Sequence, residues 1–112
     1  MTQTTDLEER KALIELVGKD LTMHIEDVPS EDDLIYMICQ RVKALLESDR
    51  DLLLSYLYRL DVPESQINAA MRITHQVPLD QSLGLLIYYR QLERIRTKRR
   101  FDSGPPIEGW EF

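Results

Sequence analysis

His24, His75 and Cys39 are the side chains of this 112-residue chain best suited to metal or nucleophile chemistry. They stand far apart and form no short-spaced ligand pair of the Cys-x-x-Cys or His-x-x-x-His kind that a zinc site uses. The acids contain no calcium-loop pattern, so neither a metal nor another cofactor is expected. Cys39 follows Ile38 within an apolar stripe, where a thiol packs as a small hydrophobe. A reactive thiol would need a base or a helix N-terminus beside it. No Gly-x-Ser-x-Gly elbow occurs, and Gly18, Gly84, Gly104 and Gly109 are too scattered to cradle a phosphate. The carboxylates fall at helix caps and on polar faces, a solvated arrangement. These residues together predict a protein that is not an enzyme.

The sharpest local signal is the basic run Arg94-Ile95-Arg96-Thr97-Lys98-Arg99-Arg100-Phe101. The net charge of the chain is −6, but it is unevenly spread: residues 1–33 carry −7 and residues 90–100 carry +5. Three readings compete for the basic run. Its cations complement the negative end of a helix dipole in solvent; or they meet a protein surface; or they contact the phosphates of DNA or RNA. The acids of the first two helices are candidate partners for it, within the chain or across a dimer. The acidic remainder of the chain repels a polyanion beyond the local patch, which favours the protein reading over the nucleic-acid one. Tyr88, Tyr89 and Arg90, just upstream, join Arg94 in a cluster of the types enriched at interfaces. The same tyrosines also suit the rim of a core, with the hydroxyl reaching water. The segment Ile107-Glu108-Gly109-Trp110-Glu111-Phe112 places the only tryptophan, and a phenylalanine, at a polar end. Trp110 and Phe112 fold back into a groove, anchor on a partner, or belong to an idle tail.

The elements that position these residues are helices. Apolar side chains recur at i, i+3/i+4, and alternating strand-like runs are missing. A first helix is expected over 6–27, capped by Asp6, with Leu13, Ile14, Val17, Leu21 and Ile25 inward and Gly18 as a place to bend or break. That span puts His24 on a helix surface. Pro29-Ser30 followed by Glu31-Asp32-Asp33 opens a second helix, which runs through Leu34, Ile38, Val42 and Leu45 to about Ser48. A third helix is expected over 50–60 and a fourth over 63–74, separated by Asp61-Val62-Pro63, with Ile67, Ala70, Met71 and Ile73 inward. The fourth offers Ser65, Gln66, Asn68 and Arg72 outward, a minor variant of the nucleic-acid reading. The fifth, expected over 80–100, is apolar on most sides in its first half and charged in its second. That predicts a buried front and an exposed, projecting back.

Leu54-Ser55-Tyr56-Leu57-Tyr58-Arg59-Leu60-Asp61-Val62-Pro63-Glu64, with the later Leu92-Glu93-Arg94-Ile95-Arg96, resembles a family of small, uncharacterised helical bacterial proteins. The resemblance implies a bacterial, cytoplasmic setting and supplies no functional residue. The expected fold is all-α, a compact bundle of about five helices over residues 1–101 with a flexible tail over 102–112. The start of the chain lacks the basic and apolar regions of a secretory signal, and no apolar run suffices for a membrane span, so no membrane partner is expected. The expected role is a protein-interaction module that self-associates or belongs to a larger assembly, its partner itself or an acidic protein surface; nucleic acid, met by the basic end of the fifth helix, is the alternative.

Overall fold

Five helices and no strand form among the described residues of the computed structural model, which are 5–72 and 77–103. They are α1 (Leu7–Asp20), α2 (Glu31–Ser48), α3 (Arg50–Arg59), α4 (Glu64–Arg72) and α5 (Leu79–Ser103). The chain is an all-α bundle, as its periodicity implies.

Each start has a local cause. The Asp6 carboxylate accepts from the Glu9 N–H at 2.7 Å, and the Glu9 carboxylate accepts from the Asp6 N–H at 3.1 Å, a complete capping box. Ser30 Oγ accepts from the Asp33 N–H at 3.2 Å, and Asp49 Oδ1 from the Leu52 N–H at 3.1 Å. The α4 and α5 helices begin just after prolines. The Pro63 carbonyl accepts from the Ile67 N–H and the Pro78 carbonyl from the Ser82 N–H.

The first helix stops at Asp20 rather than continuing to 27. Thr22 turns into the left-handed region, with φ 56°, and the Met23 N–H donates back to the Gly18 carbonyl at 2.9 Å. This is a Schellman closure with threonine where glycine is usual. A Cβ on Gly18 would lie 3.2 Å from the Met23 carbonyl oxygen, so the missing side chain makes room for the returning strand of backbone. Arg41 of α2 secures the turn by donating its Nε–H to the Leu21 carbonyl at 2.8 Å. As a result, His24 sits in the loop beyond α1, exposed and 3.4 Å from Glu26, not on a helix. Ile25 still packs against the core, so the apolar stripe is satisfied without helix. The third helix closes the same way at Asp61, φ 61°: the Val62 N–H donates to the Leu57 carbonyl and the Asp61 N–H to the Tyr58 carbonyl.

The front of α5 runs through the middle of the core, and its contact with α2 is the most extensive between any two helices. Gly84 is what lets them meet. A Cβ there would fall 2.4 Å from Cys39 Sγ and 3.1 Å from Cys39 Cα. Leu45 and Leu57 are core residues, as their stripes predict. Tyr56 is buried and Tyr58 exposed, since two residues apart on a helix face different ways. Met71, expected inward, is exposed, because α4 is short and places chiefly Ile67 in the core. The α5 helix extends to Ser103, past the expected domain edge; Ile73, His75, Trp110 and Phe112 lie outside the described residues.

Candidate functional site

The polar back of α5 is half-buried from Arg94 to Thr97 and exposed at Lys98, Arg99 and Arg100, so over this stretch the exposure its charge pattern suggests holds for those three residues only. It is used twice, within the chain, to tie down helix ends. Arg90 donates from Nε to the Asp61 carbonyl at 2.8 Å and from Nη2 to the Asp61 carboxylate at 2.7 Å, and it also pairs with Glu93. Gln91, wholly buried, donates to the Leu60 carbonyl at 2.6 Å. Arg94 donates to the Gln91 side-chain oxygen at 2.7 Å and to the same Leu60 carbonyl at 3.3 Å. These donors collect carbonyls that α3 leaves unpaired at its C-terminus.

One turn further along, Arg96 reaches the start of α1. Its Nε donates to Glu9 Oε2 at 2.6 Å and its Nη2 to Glu9 Oε1 at 3.2 Å. Arg99 lies 3.5 Å from Asp6 Oδ2 and 3.6 Å from Glu9 Oε2. The Arg96 guanidinium, against the opposing effect of burial, holds the Glu9 carboxyl below its ordinary range. The hydrogen bond from the Glu9 N–H does the same for Asp6. The acids of the first helix thus supply partner charge for the basic run inside one chain. Lys98, Arg99 and Arg100 are exposed.

Tyr88 requires a correction. Expected on a partner surface, it is fully buried, because it occupies the side of α5 that packs on the core. Its hydroxyl donates to Glu31 Oε2 at 2.6 Å and lies 3.4 Å from Thr5 Oγ1. Burial, reinforced by the Glu31 carboxylate, pushes its hydroxyl pKa far up, so it stays protonated. Tyr89, by contrast, is 55% exposed. Its ring stands edge-on to Tyr88, with centroids 5.2 Å apart, so the buried ring orients the exposed one.

Two open grooves flank α5. The first, about 320 Å³, lies between α5 and the start of α4, with Pro63, Leu85, Leu86 and Tyr89 as its apolar part and Arg90 and Glu93 on its rim. Leu85 and Leu86 are only half-buried there. The second, about 450 Å³, lies between α1 and the back of α5, lined by Ala12, Leu16 and Ile95 with Glu8, Glu15, Lys98 and Arg99 around them. Among the described residues no cluster of histidine, cysteine, aspartate or glutamate could hold a metal, and no helix is long and apolar enough to cross a membrane. Cys39 is buried, and burial raises its thiol pKa, so the thiolate is disfavoured.

Comparison with known protein families, curated proteins and solved structures finds no match, so the geometry alone carries the functional reading. It brings Arg90 together with Arg94, and Arg96 with Arg99, but around separate helix ends. Sequence reasoning misses Gln91, Asp61 and Glu9 as the centres of those ties. Glu9 carries one available signal, its place three residues after Asp6. Gln91 carries none.

Proposed function

We propose that this chain is a non-catalytic, cytoplasmic protein-interaction module that self-associates through the α4–α5 groove. The observation that carries this reading is Tyr89, exposed and held edge-on by Tyr88, beside the half-buried Leu85 and Leu86. Half-buried leucines leave apolar surface in water, and covering it is favourable by about 25 cal/mol per Å². A tyrosine whose ring is already oriented loses little freedom on binding, which is what an interface anchor needs. The rim suits a second copy. In a two-fold contact the same patch meets itself, so a cation next to an anion is self-complementary, and Arg90 and Glu93 sit side by side.

The nucleic-acid alternative is less well supported. Arg96 and Arg99 already face the Glu9 and Asp6 carboxylates, and a phosphate would have to displace those acids. Sedimentation equilibrium of the full chain tests the proposal. The expected result at micromolar concentration is a mass above that of the monomer. Tyr89→Glu should return it to monomer with helicity unchanged. A wild-type chain that stays monomeric throughout the concentration series overturns the reading.

A further inference from the structure

The α1–α5 groove lies on the other flank of α5 from the self-association face, and its composition points to a different occupant. Its floor is apolar, from Ala12, Leu16 and Ile95, each only half-buried. Its α5 wall is cationic, with Lys98 and Arg99, and Arg100 is exposed one residue on. Its α1 wall carries Glu8 and Glu15. The ligand it fits is a short apolar segment with acids along one side.

The sequence carries such a segment a few residues beyond Ser103. Ile107, Trp110 and Phe112 alternate with Glu108 and Glu111 just beyond the end of α5. The distances allow it to return. Ile95 lies eight residues before Ser103, about 12 Å along the helix axis. Seven residues lead from Ser103 to Trp110, a reach of about 23 Å at ~3.3 Å per residue. Gly104-Pro105-Pro106 stands between, a sequence that cannot prolong α5 and whose prolines restrict the conformations lost on docking. We infer that the segment 107–112 docks into the α1–α5 groove of its own chain, with Trp110 on Leu16 and Ile95 and with Glu108 and Glu111 on the Lys98 side. The charges orient it: Glu8 and Glu15 repel the two acids from the α1 wall, and Lys98 draws them to α5. Docking covers the apolar floor and places the indole out of water. The open groove, at about 450 Å³, falls within the ~300–1,000 Å³ range of small-molecule clefts, room enough for an indole.

Trp110 is the only tryptophan, so its emission reports on this segment alone. In the full-length protein the expected emission is blue-shifted from that of free indole and weakly quenched by acrylamide, at every concentration in a dilution series. Leu16→Asp should shift it to the solvent-exposed position and raise the quenching constant several-fold, with cooperative unfolding retained. Lys98→Glu, on an exposed side chain that the fold does not need, should move it part of the way; it decides the matter if Leu16→Asp does not fold. Solvent-like emission in the wild type overturns the inference. So does burial that survives both substitutions, or burial that fades on dilution together with the mass, which would place the segment on a second copy.

Discussion

Arg90, Gln91 and Arg94 grip the end of α3, and Arg96 and Arg99, about a turn later on α5, grip the start of α1. The two ties are built from similar residues and obey opposite electrostatics. A helix C-terminus is a negative pole with unpaired carbonyls, so cations and amide donors suit it directly. A helix N-terminus is a positive pole that repels an arginine. The second tie works because a capping box is interposed: Asp6 and Glu9 satisfy the α1 N–H groups and present negative charge to α5. The first tie rests largely on backbone groups that do not titrate. The second rests on two carboxylates that do. A row of arginines on one helix is therefore not one electrostatic feature.

The comparison can be broken by substitution. The largest effect is expected beside the first tie, at the fully buried Leu57, whose carbonyl accepts from the Val62 N–H in the turn that follows α3. Leu57→Ala should lose about 2–5 kcal/mol by chemical denaturation; a loss smaller than that of Gln91→Ala would mean that the tie, rather than the core, secures the turn. Gln91→Ala should lose about 1–3 kcal/mol, because it removes a donor from the buried Leu60 carbonyl, and the loss should be the same in high salt and in acid. Arg96→Met should cost about 1 kcal/mol at neutral pH, discounted for a guanidinium that remains partly exposed.

Acid should sharpen the contrast. Glu9 and Asp6 have folded-state pKa values below their ordinary ones. Their stabilisation is therefore present above the unfolded carboxylate value, about 4, and is lost as pH falls through it toward the depressed values. Denaturation midpoints measured on descending pH should fall for wild type and equally for Gln91→Ala, but less for Arg96→Met. Equal slopes for all three would show that the second tie does not titrate. The smallest effect belongs to Arg99→Ala, about 0–1 kcal/mol and diminished by salt, because that pair is long and exposed.

Helix starts were legible where the signal is a cap. Asp6, Ser30 and Pro63 have partners within a few residues, and α1, α2 and α4 begin beside them. The early end of α1 was hidden because Thr22 is a poor candidate for a left-handed turn, and Leu21 and Ile25 continue the helical stripe even though the latter packs from a loop. The tie of α5 to α1 was legible in kind, since the acids of the first helix stood as candidate partners for the basic run, but its residue pairs were not. Glu9 and Arg96 are 87 residues apart, and charge spacing along a chain does not say which surfaces fold together. Tyr88 and Tyr89 are the sharpest case: neighbours of one type, one wholly buried and the other at the surface, divided only by the 100° step of a helix whose orientation the core decides.

The contact between Gly84 and Cys39 has a kinetic consequence. With Cys39 about 7% exposed and α5 backbone pressed against its Sγ, a maleimide or disulfide reagent cannot approach without separation of α2 from α5. Where reclosing outpaces labelling, the labelling rate of this single cysteine in native buffer reads the free energy of parting the two central helices without any denaturant.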